Sequence, residues 1–263
     1  MPFEVEICGM VKVKMFSSVG TEQAPAAEMP ALDSQAFYDV VDSRRSTRIY
    51  ANDEVPEEVI HRVVDAAQKA PNSSNLQCWE LYRVKDKQKK AQLVKACLGQ
   101  PAAATAPELF VFVARPDLWK RNNAWTLREF DRRGNMPERA YQYFTKITRI
   151  AYTQGAFAWV KRVWFPIRGL SKATPREPIG WGDMRVWAHK STALSAAHFM
   201  LAMRAEGFDT CPMEGMDSRR VKRILELPRK AEVCMVVSAG KRTEKGVYGE
   251  RFRFTPDTFF FER

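Results

Sequence analysis

The run Ala70-Pro71-Asn72-Ser73-Ser74-Asn75-Leu76-Gln77-Cys78-Trp79 decides how the rest of this chain is read. Pro71 ends the helical pattern before it, and Asn72, Ser73, Ser74 and Asn75 carry short side chains that tolerate turn geometry. Gln77 and Trp79 then follow at the two-residue spacing of a strand. A loop with so many donors and acceptors is costly to bury unless something satisfies them, so the run reads either as a hydrogen-bonded surface turn or as the wall of a site for a planar, polar ligand.

Working outward, Pro56 followed by Glu57 and Glu58 marks a helix start with carboxylates at its positive end. Val59, Ile60, Val63, Val64 and Ala67 keep one apolar face up to Pro71. On the other side, Trp79 to Val84 reads as a strand and Lys87 to Leu98 as a helix. Leu109 to Ala114 is a continuously apolar run, the pattern of a strand covered on both faces, and Val233 to Val237 is a second. Val186 to Glu206 is an Ala-rich helix stopped by Gly207, and Asp217 caps a short helix ending before Pro228. Helices flanking a sheet give a mixed α and β chain.

Two segments stand outside this plan. Phe3 to Ile7 and Val11 to Met15 alternate apolar and charged residues around Cys8-Gly9-Met10, a hairpin pattern with acidic residues facing basic ones. Residues 17–31, rich in Ser, Ala, Pro and Glu, read as a linker, so 1–33 forms an extension to a domain spanning 34–263. Residues 116–185 interrupt that domain with Trp119, Trp125, Trp159, Trp164 and Trp181. From Tyr143 to Leu170 aromatics mix with Lys146, Arg149, Lys161, Arg162 and Arg168. This insertion reads as helices packing their own aromatics, a lid, a subunit contact or an interfacial amphipathic helix.

Composition narrows the function classes. The 263 residues are 45% hydrophobic and 28% charged, ordinary globular values. Five scattered cysteines, with no C-x-x-C pair and no histidine spaced to complete a zinc site, read as free thiols in a reducing compartment. With no signal-peptide core and no run of the roughly 20 apolar residues that cross a bilayer, a cytoplasmic protein is expected. The net charge of +11 admits nucleic acid, an anionic membrane surface or anionic small molecules. The basic residues are spread out and lack a nucleic-acid motif, which argues against the first. Neither G-x-S-x-G, H-E-x-x-H, G-x-G-x-x-G nor a P-loop is present, which argues against a hydrolase, a metalloprotease and a dinucleotide domain. No metal site is expected.

Four separated pieces resemble the flavin-dependent nitroreductase family: Arg44-Arg45-Ser46-Thr47-Arg48-Ile49-Tyr50, the run from Ala70 to Trp79, residues 98–114, and residues 206–217. The resemblance implies an α+β fold with a central mixed sheet flanked by helices, forming an intertwined homodimer with FMN at the interface. It also implies ping-pong transfer of a hydride from NADH or NADPH to a nitroaromatic, quinone or related acceptor. Arg44, Arg45, Arg251 and Arg253 are then the phosphate ligands, which suits planar, multiply donating guanidiniums. Ser46 and Asn75 bond phosphate, ribityl or ring edges, Gln77 positions the loop, and Pro71, Asn72, Ser73 and Gln100 complete that wall. Arg48 falls near the flavin N1 and C2 carbonyl as an electrostatic tuner. Pro212, Met213, Glu214 and Gly215 form the other wall, with the Glu214 and Gly215 backbone near N5 and O4. No side chain is assigned as acid or base, because the cofactor carries the hydride chemistry.

Departures from the family pattern are Cys78 in place of a proline, Asn72 in place of a serine, and the long aromatic insertion. Two other readings follow from the same fold: a reductive dehalogenase or dehydrogenase for one organic substrate, and a flavin-binding module whose insertion docks on a membrane or partner.

Overall fold

The structure is a computed structural model that describes residues 3–7, 11–15, 30–134 and 137–263. The expected turn at Cys8 to Met10 and the expected linker up to residue 29 lie outside them. The chain forms two compact units, one of residues 36–71, 79–114 and 192–263, the other of residues 1–35, 72–78 and 115–191.

The first unit is built on a sheet in the order β3-β4-β6-β5, with β3 Trp79–Arg83, β4 Glu108–Ala114, β5 Asp209–Met213 and β6 Glu232–Gly240. All three ladders are antiparallel, and the parallel pairing is the isolated bridge from Ser46 to Thr210. The sheet expected to be mixed therefore has its parallel contact only at the edge of β5. β5 falls inside a stretch read from sequence as loop. It is short, contains Pro212 and has β6 as its only strand neighbour in the sheet order, and an edge position is where a strand tolerates proline.

β4 explains its own unbroken apolarity. Leu109, Val111 and Val113 pack into a cluster with Leu93, Ala96, Ala102, Ala103 and Val221. These come from α3 (Lys87–Ala96), α4 (Pro101–Ala104) and α10 (Ser218–Ile224). Phe110 and Phe112 instead join Val59, Ile60, Val63, Phe199 and Met203, from α2 (Glu57–Gln68) and α9 (Trp181–Ala205). Phe199 is the centre of that layer, with its ring 4.7 Å from Phe110 and 5.5 Å from Phe112. Side chains alternating to two covered faces leave no polar position from Leu109 to Ala114. The expected cap at Asp217 is present, its carboxylate accepting from the Arg220 N–H at 3.0 Å. α1 (Ser34–Ser43) is amphipathic yet buries none of its residues.

In the second unit β1 (Phe3–Ile7) pairs antiparallel with β2 (Val11–Met15), setting Glu4 opposite Lys14 and Glu6 opposite Lys12 in register. The insertion is helical: α5 (Trp119–Arg133), α6 (Glu138–Gln142), a π turn at Tyr143–Ile147, α7 (Thr148–Tyr152) and α8 (Ala156–Arg168). Leu76, Cys78, Trp119, Tyr152 and Met184 form its core, with Trp187 packed against them.

Candidate functional site

The basic segment after α1 is fastened by its backbone. The Thr47 N–H donates to the Thr210 carbonyl at 3.1 Å and the Arg48 N–H to the Gly246 carbonyl at 2.6 Å. The side chains on either side of those bonds are thereby aimed at the chain that follows β6. Together they line a pocket of about 170 Å³ formed by Arg44, Arg45, Ser46 and Arg48 against Val247, Tyr248, Glu250, Arg251, Phe252 and Arg253. Small-molecule pockets usually run to about 300–1,000 Å³, so this one has room for only part of such a ligand.

Five guanidiniums in one pocket repel one another unless an anion is added. Arg251 holds the pocket's edge, donating from Nη2 to the carbonyls of Asp42 and Arg44 at 2.6 Å each. It also makes the cluster's ion pair, to Asp42 at 3.9 Å. Arg45 donates to the Gly249 carbonyl at 2.9 Å. Among the described residues Arg44, Arg45, Arg48 and Arg253 have no carboxylate partner, although Glu250 lines the same pocket. Burial, followed by the charges of Arg251 and Arg253, pushes the Arg44 pKa below its ordinary value. A phosphate group removes that penalty and accepts several charge-assisted bonds at once.

Arg48 points its Nη1 at the Cys211 sulfur, 2.8 Å away. Sequence reasoning missed Cys211, although it lies inside the quoted 206–217 motif. No alternation marks it, because β5 buries Asp209, Thr210, Cys211 and Met213 alike and leaves only Pro212 partly exposed. Burial raises the Cys211 thiol pKa, with Arg48 opposing, so Arg48 has a neutral, polarisable neighbour there. Close by in the chain, the hydroxyls of Thr47 and Thr210 are buried with no hydrogen-bond partner.

Gln100, the outlying member of the expected set, donates from Nε2 to the Gly215 carbonyl at 2.7 Å. A Cβ built on Gly215 would meet only that Gln100 nitrogen, at an ordinary 3.5 Å. Nothing inside the chain therefore requires glycine at 215, which is the expected arrangement where the main chain must be approached from outside. Pro212 and Met213 belong to β5, while Glu214 and Gly215 are exposed just beyond it. Pro71 is exposed at the end of the first unit's segment 36–71.

In the second unit, residues 72–78 form one tight turn. Ser74, Asn75 and Gln77 have φ of 56°, 49° and 46°, left-handed values that cost non-glycine residues on the order of 1–3 kcal/mol each. The surroundings hold them there. The Asn72 carboxamide accepts from the Gln77 N–H at 2.8 Å, and the Gln77 side chain donates back to Asn75. Asn122 of α5 donates to the Leu76 and Gln77 carbonyls at 2.8 and 3.2 Å. The Ser73 and Ser74 hydroxyls are bonded to the Tyr152 and Tyr143 phenols at 2.7–3.0 Å. Asn122, Tyr143 and Tyr152 were not expected from sequence, because a motif read along the chain carries no sign of side chains tens of residues away.

Cys78, expected to set a thiol beside the ligand, is 1% exposed and donates to the Leu76 carbonyl at 3.5 Å. Burial, with a smaller push from Asp117, raises its pKa to about 12. It packs with Leu76, Trp119, Tyr152 and Met184 as a small apolar side chain.

Fold and pocket define an α+β protein with an arginine-lined pocket. The chain belongs to the Nitroreductase family, whose model matches residues 41–241. It is 29% identical over 225 residues to an NADH dehydrogenase of Thermus thermophilus, covering 86% of this chain and 94% of that protein. A nitroreductase-like protein of Streptococcus mutans superposes with a TM-score of 0.67 at 22% identity, covering 87% of this chain and 98% of that one. A nitroreductase of Exiguobacterium sibiricum solved in complex with FMN gives 0.63 at 20% identity, covering 90% of this chain and all of that one.

Proposed function

We propose that the protein is an FMN-dependent oxidoreductase that takes electrons from NADH or NADPH and passes them to nitroaromatics, quinones or related acceptors by a ping-pong mechanism. The observation that carries this reading is the pocket of Arg44, Arg45, Arg48, Arg251 and Arg253, largely without carboxylate partners. FMN, when bound, supplies the hydride chemistry at its ring.

The chain's own residues bind, orient and tune. Arg44, Arg45, Arg251 and Arg253 neutralise the phosphate, and Ser46 adds a hydroxyl to the same pocket. Arg48, a fixed cation whose Nη1 rests on Cys211, favours the negatively charged reduced cofactor. Asn72, Ser73, Asn75 and Gln77 present a turn already locked in shape, so little conformational freedom is lost on binding. Gln100 fixes the Gly215 carbonyl, leaving the main chain at Glu214 and Gly215 open to the ring.

A homodimer accompanies this function. α1 exposes Phe37 and Tyr38, and the C-terminal segment exposes Phe252, Phe254, Phe259, Phe260 and Phe261, more apolar surface than a monomer usually leaves in water. No helix among the described residues is long and apolar enough to cross a membrane. The cytoplasm, with its NAD(P)H and reduced thiols, is the proposed compartment. Anaerobic mixing of the FMN-loaded protein with NADH or NADPH, then with a panel of nitroaromatics and quinones, tests the reading. Flavin bleaching by the donor and recovery with an acceptor are expected. A flavin that neither donor bleaches refutes it.

A further inference from the structure

The helix α8 is built inside out. Trp159, Val160, Val163, Trp164 and Ile167 are all exposed, Trp159 at 69%, and Leu170 just past the helix end is 89% exposed. At about 100° per residue the five helical positions fall within an arc of about 140°. On the opposite side Lys161 is 1% exposed, its ammonium donating to the Ala151 carbonyl at 2.8 Å and the Pro178 carbonyl at 3.2 Å. A helix on a water-soluble surface ordinarily shows the reverse, apolar residues inward and lysine outward.

Charge says what this face meets. Between Glu138 and Glu177 the sequence contains no aspartate or glutamate, but holds Lys146, Arg149, Lys161, Arg162, Arg168, Lys172 and Arg176. Arg162 and Arg168 lie outside the apolar arc, about 60° and 40° beyond its two ends. Lys146, Arg149, Lys172 and Arg176 are exposed. The carboxylate that follows, Asp183, is turned onto the backbone N–H groups of Ile179 and Gly180.

We infer that the Trp159–Leu170 face docks on an anionic phospholipid bilayer, with the two tryptophans in the headgroup layer and the flanking arginines and lysines on lipid phosphates. Tryptophan suits that boundary because its ring is apolar and its N–H is wet. An apolar face combined with a basic rim supplies the two signals that stable attachment needs. A second copy is the poorer occupant, because a two-fold contact between these faces sets cations against cations with no carboxylate to answer them.

The test is co-sedimentation of the full-length protein with phosphatidylcholine vesicles, with and without phosphatidylglycerol. Binding is expected only to the anionic vesicles, and it weakens in high salt as the screening length falls from roughly 10 Å to 3 Å between 0.1 and 1 M. Trp159→Ser/Trp164→Ser should lower partitioning by roughly tenfold or more. Arg162→Gln/Lys172→Gln should lower it by about fivefold per charge. Arg219→Gln/Arg229→Gln, the same charge change on an exposed part of the other unit, should leave most of it. A wild-type protein that ignores anionic vesicles overturns the inference, as does equal loss in the control pair, which would reduce the effect to net charge. An oligomer that the tryptophan pair dissociates, without vesicle binding, overturns it in favour of a contact between copies. Should the tryptophan pair fail to fold, quenching of wild-type fluorescence by brominated phosphatidylglycerol decides the matter, and unquenched emission overturns the inference.

Discussion

Replacing Arg44 with alanine separates binding from folding. The Arg44 guanidinium makes no hydrogen bond or ion pair among the described residues, and burial and the charges of Arg251 and Arg253 depress its pKa. Its removal therefore relieves repulsion in the ligand-free protein, whose melting temperature is expected to hold or rise. Cofactor binding moves the other way. One charge-assisted hydrogen bond to a phosphate is worth about 1.5–3 kcal/mol, and each 1.4 kcal/mol is tenfold in Kd, so FMN affinity falls about 10- to 100-fold. Riboflavin, which has the ring and ribityl chain but no phosphate, supplies the internal control. Titrating the apoprotein with each ligand by flavin fluorescence quenching should show Arg44→Ala weakening FMN while leaving riboflavin within about twofold. Unchanged FMN affinity, or equal losses for both ligands, would refute the assignment of this pocket to the phosphate.

Other outcomes follow from the same geometry. Arg48→Ala should lower the flavin reduction potential, by about 30 mV for each 1.4 kcal/mol of lost preference for the reduced cofactor, or weaken FMN binding. The exposed control Lys87→Ala should do neither, as measured by potentiometric dye titration. Tyr152→Phe strips the phenol from the Ser73 and Ser74 hydroxyls and should cost about 1–3 kcal/mol in urea unfolding. Lys161, held below its usual 10.5 at about 8 by burial, is protonated more readily in the unfolded chain, so its contribution to stability rises with pH from 8 to 10.5. Cys78, raised from 9.0 to about 12, acts oppositely, its contribution being lost as pH rises through that window. Urea titrations at stepped pH should therefore show Lys161→Met flattening the rise and Cys78→Ala flattening the fall.

What sequence disclosed and what it hid divide along physical lines. β4 and α2 were legible because apolar runs and a 3.6-residue period report burial directly. The arginines at 44–48 and 251–253 were legible as a group through the family resemblance, and the structure brings them into one pocket. β5 escaped because five residues carrying a proline look like loop until an edge position excuses the missing N–H. The bond from Arg48 to Cys211 and the phenols of Tyr143 and Tyr152 on the serine turn escaped because they join residues about 70 to 160 positions apart. The burial of Cys78 escaped because its motif position carries no sign of Trp119, Tyr152 and Met184, which pack around the thiol.

Flavin content is the most direct measurement of the central claim. Protein purified without added cofactor, or incubated with FMN and desalted, should be yellow and hold FMN in equimolar amount, released on denaturation and identified by its phosphate. A colourless protein that takes up no FMN would contradict it.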